Sequence, residues 1–384
     1  MSAKLITETI QGQVDASFID LGVGHPKTSQ LPLSRLYNAV HERFAAGDPY
    51  FLQYGAEQGD GYLRLGLGRF LSQGYGMEVF PEGIFITCGA SSGLDLTCTL
   101  FTRPGDIVFV EEPTYFLALQ VFADHQLIPV AIPVDDDGLV PNALEAALKN
   151  YKPKILYTVP TFQNPSGCTL SAKRRERLVA LSREHDFLIL ADEVYHFLHY
   201  TDPPPKPMSA YINEGNVLSL GSFSKILAPG LRMGWIQTDE YRLKMLVNSG
   251  LLASGGGMNP FTSAMLRGLL DHGELEANIQ ALRVDYRQRM LVMEAALGCH
   301  MPGAKFRRPE GGYFFWVELP GECDAEKLID HAQGYQVSYK PGQRFSSRGE
   351  LRSFVRLSFT YYEAPELEDG IQRLGQAVNR FLGG

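Results

Sequence analysis

Two rhythms of apolar positions alternate along this chain: short runs rich in β-branched and aromatic residues, and longer stretches in which apolar residues return every three or four positions. The short runs predict strands at 83–88, 107–111, 127–132, 154–158, 187–191 and 216–220. The longer rhythm predicts helices at 32–46, 94–101, 141–150, 240–249, 260–270, 274–297 and 365–381, with another beginning after Tyr115. In the first helix Leu33, Leu36, Tyr37, Val40 and Phe44 fall on one side, which predicts a packing face. Strands that alternate with helices predict a parallel sheet covered on both faces. Past residue 300 the pattern becomes α+β, with a glycine turn and strand at 309–317, a loop at 338–345 and a strand at 354–359. The expected division is an arm and helix at 1–45, a large domain at 46–272 and a small domain at 273–384. Glycines at 255–257 predict a flexible linker.

Composition narrows the setting. A chain of 384 residues, 45% hydrophobic, can bury a large core and predicts two closely associated domains. No run is apolar enough to span a bilayer and the first residues carry no apolar signal core, so no membrane partner and a cytoplasmic location are expected. Cys88, Cys98, Cys168, Cys299 and Cys323 are odd in number and lack metal-ligand spacing, so they read as free thiols and no metal is expected. A net charge of −8, with both signs interspersed, argues against nucleic acid.

One stretch stands apart chemically: Ser222-Phe223-Ser224-Lys225, followed by Pro229-Gly230-Leu231-Arg232-Met233-Gly234, directly after the strand at 216–220. Two hydroxyls, a lysine and an arginine suit a dianionic phosphate beside an electrophilic aldehyde, which describes pyridoxal phosphate. A lysine destabilised as an ammonium by cationic Arg232 forms a Schiff base with such an aldehyde more readily. An isolated lysine in a Gly/Pro loop is more often a surface residue; the flanking groups argue otherwise here. Two further features point the same way. The strand at 83–88 runs through Gly89, Ala90 and Ser91 into a helix, and unpaired N–H groups at a helix start attract phosphate. Asp192 ends the apolar strand at 187–191, where a carboxylate is costly unless paired.

The Ser-x-Ser-Lys-x-x-x-Pro-Gly-x-Arg-x-Gly stretch resembles that of the class I/II aminotransferases, pyridoxal-phosphate enzymes of fold type I, and the resemblance extends from about Ile19 to Leu382. It implies a mostly parallel sheet between helices with a smaller α+β C-terminal domain. It makes Lys225 the Schiff-base lysine, Asp192 the partner of the pyridine nitrogen, and Asn164 and Tyr195 the partners of the phenolic oxygen. Tyr115 stacks on the ring, and Gly89, Ala90, Ser91, Ser222, Ser224 and Arg232 surround the phosphate. The family often has glutamine where this chain has Ser91 or Ser92, so the implied contact there is through the backbone. Arg356, in an Arg-Leu-Ser-Phe strand, grips the substrate α-carboxylate; read without the resemblance, a buried arginine is better explained by an internal ion pair. Gly24 lies on an arm across the entrance, and Tyr54 reaches the phosphate of a partner subunit, which implies a homodimer with shared sites.

The function implied is transfer of an amino group from an L-amino acid to a 2-oxo acid. Elimination, γ-replacement, ring formation and oxidation use the same residues, and a non-catalytic regulator domain is a remoter alternative. Arg344, in the 338–345 loop, reads either as a contact for a second anionic group of the substrate or as an exposed arginine.

Overall fold

The computed structural model describes residues 17–383; the chain start searched above for a signal core lies outside them. The strands, in chain order, are β1 Ile19–Asp20, β2 Ile84–Thr87, β3 Ile107–Glu112, β4 Ile128–Asp135, β5 Gly138–Leu139, β6 Pro153–Thr158, β7 Leu188–Asp192, β8 Val217–Ser222, β9 Gly234–Thr238, β10 Lys305–Phe306, β11 Phe314–Glu318, β12 Val337–Ser338, β13 Lys340–Pro341 and β14 Phe354–Ser358. Eight of them make one sheet in the order β2-β9-β8-β7-β6-β3-β4-β5. Strands β4, β3, β6, β7 and β8 are parallel neighbours, while β9 runs antiparallel between β8 and β2, and β5 folds back on β4. Strands β7 and β8 are buried at every position, as a sheet covered on both faces requires. Strand β9 was not foreseen. It lies tightly against β8, where a Cβ on Gly221 would fall 2.0 Å from the Trp235 ring.

The helices are α1 Leu33–Ala45, α2 Gly61–Tyr75, α3 Ala90–Phe101, α4 Phe116–Asp124, α5 Pro141–Leu148, α6 Ala172–His185, α7 Glu240–Val247, α8 Gly250–Gly255, α9 Pro260–Asp271, α10 Glu274–His300, α11 Ile329–Gly334 and α12 Ala364–Gly383. A second, antiparallel sheet, β10-β11-β14-β13, lies in the C-terminal part, where α10 packs against α12. The arm joins this part through β1, which pairs in parallel with β12.

Three expectations need correction. The apolar side of α1 is only partly covered within this chain: Leu36 packs against the core and Phe44 meets the Phe51 and Phe261 rings, yet Leu33, Tyr37 and Phe44 are 78%, 66% and 54% exposed, and only Ala39 of the helix is buried. Spacing reports that one side is apolar, not what covers it. The helix at 240–249 stops at Val247, and the linker glycine Gly255 closes α8 instead. The loop at 338–345 contains β13 and a 3-10 turn at Gly342–Phe345. Helices α2 and α6 were also missed.

Candidate active site

In an open parallel sheet, groups carried past the carboxyl ends of neighbouring strands converge on one edge. Here β7 ends at Asp192, β8 at Ser222, and the segments leaving β3 and β6 bring Tyr115 and Asn164. They line a cavity of about 390 Å³ together with Ala90, Ser91, Val194, Tyr195, Ser224, Lys225 and Arg232. His25, Pro26, Thr28 and Leu31 wall it on the arm side.

Lys225 sits in a loop fixed from several directions. Tyr313 donates through its hydroxyl to the Lys225 carbonyl at 3.0 Å, and Asn278 of α10 donates to the Ile226 carbonyl at 2.9 Å. Its Nζ donates to the Gly24 carbonyl of the arm at 2.7 Å. Burial pushes the Lys225 amine down to about 8, and Arg356 adds to this more than Arg232 does. The sequence argument had credited Arg232 alone.

Asp192 is the opposite case. Burial raises its carboxyl to about 6, against the pull of Tyr157, the Val194 N–H and Lys225. The Tyr157 hydroxyl donates to Oδ2 at 2.9 Å, while Oδ1 is buried with no partner. A buried carboxylate oxygen left unpaired is costly, and a protonated ring nitrogen would satisfy it.

At the other end, Gly89 has φ 88° and caps α3, whose first N–H groups have no partner within the helix. A Cβ on Gly89 would lie 2.8 Å from Arg232 Nη2, so glycine is what lets the guanidinium approach the helix start. The Ser224 N–H is held by Ser222 Oγ at 3.1 Å, and Ser92 is turned to the Met258 sulfur rather than to the cavity. Ala90, Ser91, Ser222, Ser224 and Arg232 therefore line the same cavity as Asp192 with its orphaned carboxylate oxygen. The residues fit pyridoxal phosphate.

Arg356, in β14, is buried. Its Nη1 donates to Asn164 Oδ1 at 3.0 Å and its Nη2 to the Gly22 carbonyl at 2.9 Å, while Nε has no partner. The guanidinium carbon lies 4.0 Å from the Phe314 ring centre and 5.0 Å from that of Phe345. Burial lowers its pKa to about 10, and Tyr195, Tyr115 and the Asp20 carboxylate act on it in the opposite direction. Because Asn164 Oδ1 is committed to Arg356, its Nδ2 is the group that can donate; Asn164 also touches Tyr195. Gly24 meets the site only through its carbonyl. Tyr54 is 83% exposed and does not line this cavity. Arg344 is exposed and outside the lining as well. The sequence reading missed Val194, Tyr157 and His25. Tyr157 carried a signal, because a phenol in a buried strand must find a partner.

Sheet, lysine, carboxylate and anion cradle together define a pyridoxal-phosphate enzyme. The chain belongs to the family "Aminotransferase class I and II", which matches residues 16–374. It is 35% identical to aromatic-amino-acid aminotransferase 1 of Thermococcus litoralis, over 98% of this chain and 92% of that protein. The crystal structure of Pyrococcus horikoshii kynurenine aminotransferase, in complex with PMP, has a TM-score of 0.89 at 36% identity, covering 95% of this chain and 91% of that one. For the α-aminoadipate aminotransferase of Thermus thermophilus, complexed with N-(5'-phosphopyridoxyl)-L-leucine, the TM-score is 0.87 at 28% identity, covering 96% and 94%. The chain is thus a pyridoxal-phosphate-dependent aminotransferase of fold type I.

Proposed function

We propose that this aminotransferase prefers amino acids with uncharged, aromatic or apolar side chains as donors to a 2-oxo acid. The arm-side wall carries the reading. It presents His25, Pro26, Thr28 and Leu31; burial lowers the His25 pKa, which leaves the ring neutral. Lys27 pairs with Glu363 and Glu366, each at 3.3 Å, and Arg344 lies outside the lining. A side-chain carboxylate would be desolvated there without a partner. The name of the Thermococcus relative supports the same preference.

Bound, pyridoxal phosphate supplies an aldehyde that takes up the amino group and a ring that draws electron density from the substrate Cα. In our assignment Lys225 Nζ holds the cofactor and then carries the proton away from the substrate Cα, with a lowered pKa that suits both tasks. Asp192 would pair through Oδ1 with the ring nitrogen, Asn164 Nδ2 and the Tyr195 hydroxyl would hold the phenolic oxygen, and Tyr115 and Val194 would pack against the ring. The N–H groups of Ala90 and Ser91, with Ser222, Ser224 and Arg232, would hold the phosphate at the turn that Gly89 permits. Arg356 takes the α-carboxylate on its free Nε edge, in the orientation that Asn164 and the aromatic rings give it.

We assign the exposed apolar face to a second copy of the chain in a homodimer. Leu33, Tyr37, Tyr50, Leu52, Tyr54, Tyr62 and Leu251 are all at least 62% exposed, more than a free surface readily carries in one region. Tyr54 then reaches the partner's phosphate. The chain divides on this reading into 1–45, 46–272 and 273–384, and the enzyme works in the cytoplasm; no described helix is long and apolar enough to cross a membrane. The test is a half-reaction panel on the holoenzyme, following loss of the cofactor's visible band with single amino acids and its return with 2-oxo acids. Phenylalanine, tyrosine and leucine are expected to react faster than aspartate, glutamate and 2-aminoadipate. Faster reaction with the acidic set would overturn the preference.

A further inference from the structure

Tyr157 belongs to no motif and does not line the cavity, yet it is the one side chain that hydrogen-bonds the Asp192 carboxylate among the described contacts. It stands in β6, one strand over from β7, where it pairs in register with Leu190. Its side chain is fully buried, with the ring edge against Phe122 at 5.5 Å. The geometry fixes the direction of the bond. Burial and the neighbouring Asp192 hold the Tyr157 phenol well above its ordinary pKa, so it keeps its proton and donates to Oδ2 at 2.9 Å. That leaves Oδ1 as the oxygen without a partner, on the residue that lines the cavity.

We propose that Tyr157 is a positioning residue for the transfer reaction: its phenol holds one oxygen of Asp192, keeping the carboxylate anionic with its other oxygen presented to the cofactor ring nitrogen. The inference rests on the role assigned to Asp192 above. A carboxylate in an apolar site stays charged only while donors compensate it, and here they are Tyr157 and the Val194 N–H. The other groups coupled to Asp192 act in both directions. Lys225 favours the anion, whereas Glu193 disfavours it, and Asp192 in turn bears on Glu111, Tyr115 and Tyr195. None of these hydrogen-bonds Oδ2, so among the described residues the phenol is the one side chain that does. A purely space-filling role predicts something different, because the ring alone would fill the gap between β6 and α4.

Tyr157→Phe removes one oxygen and keeps the ring, which makes it the discriminating variant. The measurement is the ¹⁵N resonance of ring-labelled pyridoxal phosphate in the holoenzyme, beside kcat and KM. In the wild type the nitrogen is expected at the protonated position. In Tyr157→Phe it is expected to move toward the unprotonated position at the same pH, with kcat lowered about tenfold or more and KM for the amino acid changed far less. Tyr157→His, which can restore a donor, is expected to recover part of both. An unprotonated nitrogen in the wild type would defeat the Asp192 assignment itself. A protonated nitrogen and unchanged kcat in a folded Tyr157→Phe enzyme would defeat only the role of Tyr157.

Discussion

Raising the pH of cofactor-free protein is expected to speed capture of pyridoxal phosphate up to about pH 8 and no further, because the attacking species is the neutral amine of Lys225. A lysine with the ordinary value of 10.5 has roughly one neutral amine in 3,000 at pH 7; one at about 8 has roughly one in ten. Burial among cations therefore enriches the reactive form by about 300-fold at neutrality. The sign follows from the charge: a depressed lysine pKa favours the neutral form, so the rate climbs about tenfold per pH unit below 8 and flattens above it. Arg356 is the largest charge acting in that direction, so Arg356→Met is expected to move the bend upward. Stopped-flow absorbance of apoenzyme mixed with the cofactor, from pH 6 to 10, reads both curves. A wild-type rate that keeps rising through pH 10 would refute the account of Lys225, and an unmoved bend in Arg356→Met would refute the part given to the arginine.

Three other outcomes are expected. The same Arg356→Met enzyme loses about 100-fold in kcat/KM for the amino acid, mostly through KM, since a buried charge partner of the carboxylate is gone; an unchanged KM in steady-state kinetics would move carboxylate binding elsewhere. Glu193 is buried 3.6 Å from Arg175 and accepts from Met208, Ser209 and Ser219, so Glu193→Gln lowers stability by about 3–5 kcal/mol in urea unfolding. An unshifted midpoint would show that the pair contributes little. Leu33→Glu with Tyr37→Glu converts a dimer to monomer in sedimentation velocity, because both side chains stand out on the apolar face; a double variant still dimeric would place the interface elsewhere.

What could be read from the sequence was whatever its residues state locally. The loop from Ser222 to Gly234 names its ligand because every group it needs lies within thirteen positions, and Asp192 is conspicuous because a carboxylate ends an apolar run. Tyr157 was only half legible: a phenol in a buried strand must find a partner, but that partner is 35 positions away on the next strand, and nothing in the sequence says which oxygen it will meet. Arg356 was read rightly as buried but could not be oriented, since Asn164 and Gly22 are 192 and 334 positions away. The α1 face failed for another reason. Helical periodicity is the same whether the apolar side meets its own core or another molecule. Strand β9 was hidden because its glycine closes the lysine motif, so its first residue had already been read as a loop.

The arm's carbonyls bear on when the site can form at all. Gly24 accepts from Lys225, 201 positions later, Gly22 accepts from Arg356, and the adjoining β1 waits for Val337 and Ser338 to pair with. On the ribosome, at about 5–20 residues per second, Gly24 can be met once Lys225 has emerged, but β1 has no strand partner until Val337 and Ser338 appear and Gly22 is not met until Arg356 follows. The sheet strands that carry Asp192 and Lys225 are joined by nearer neighbours and can assemble earlier. A nascent chain is thus expected to own a cofactor cradle before it owns a place for the substrate carboxylate, so the order of synthesis itself separates holding the cofactor from using it.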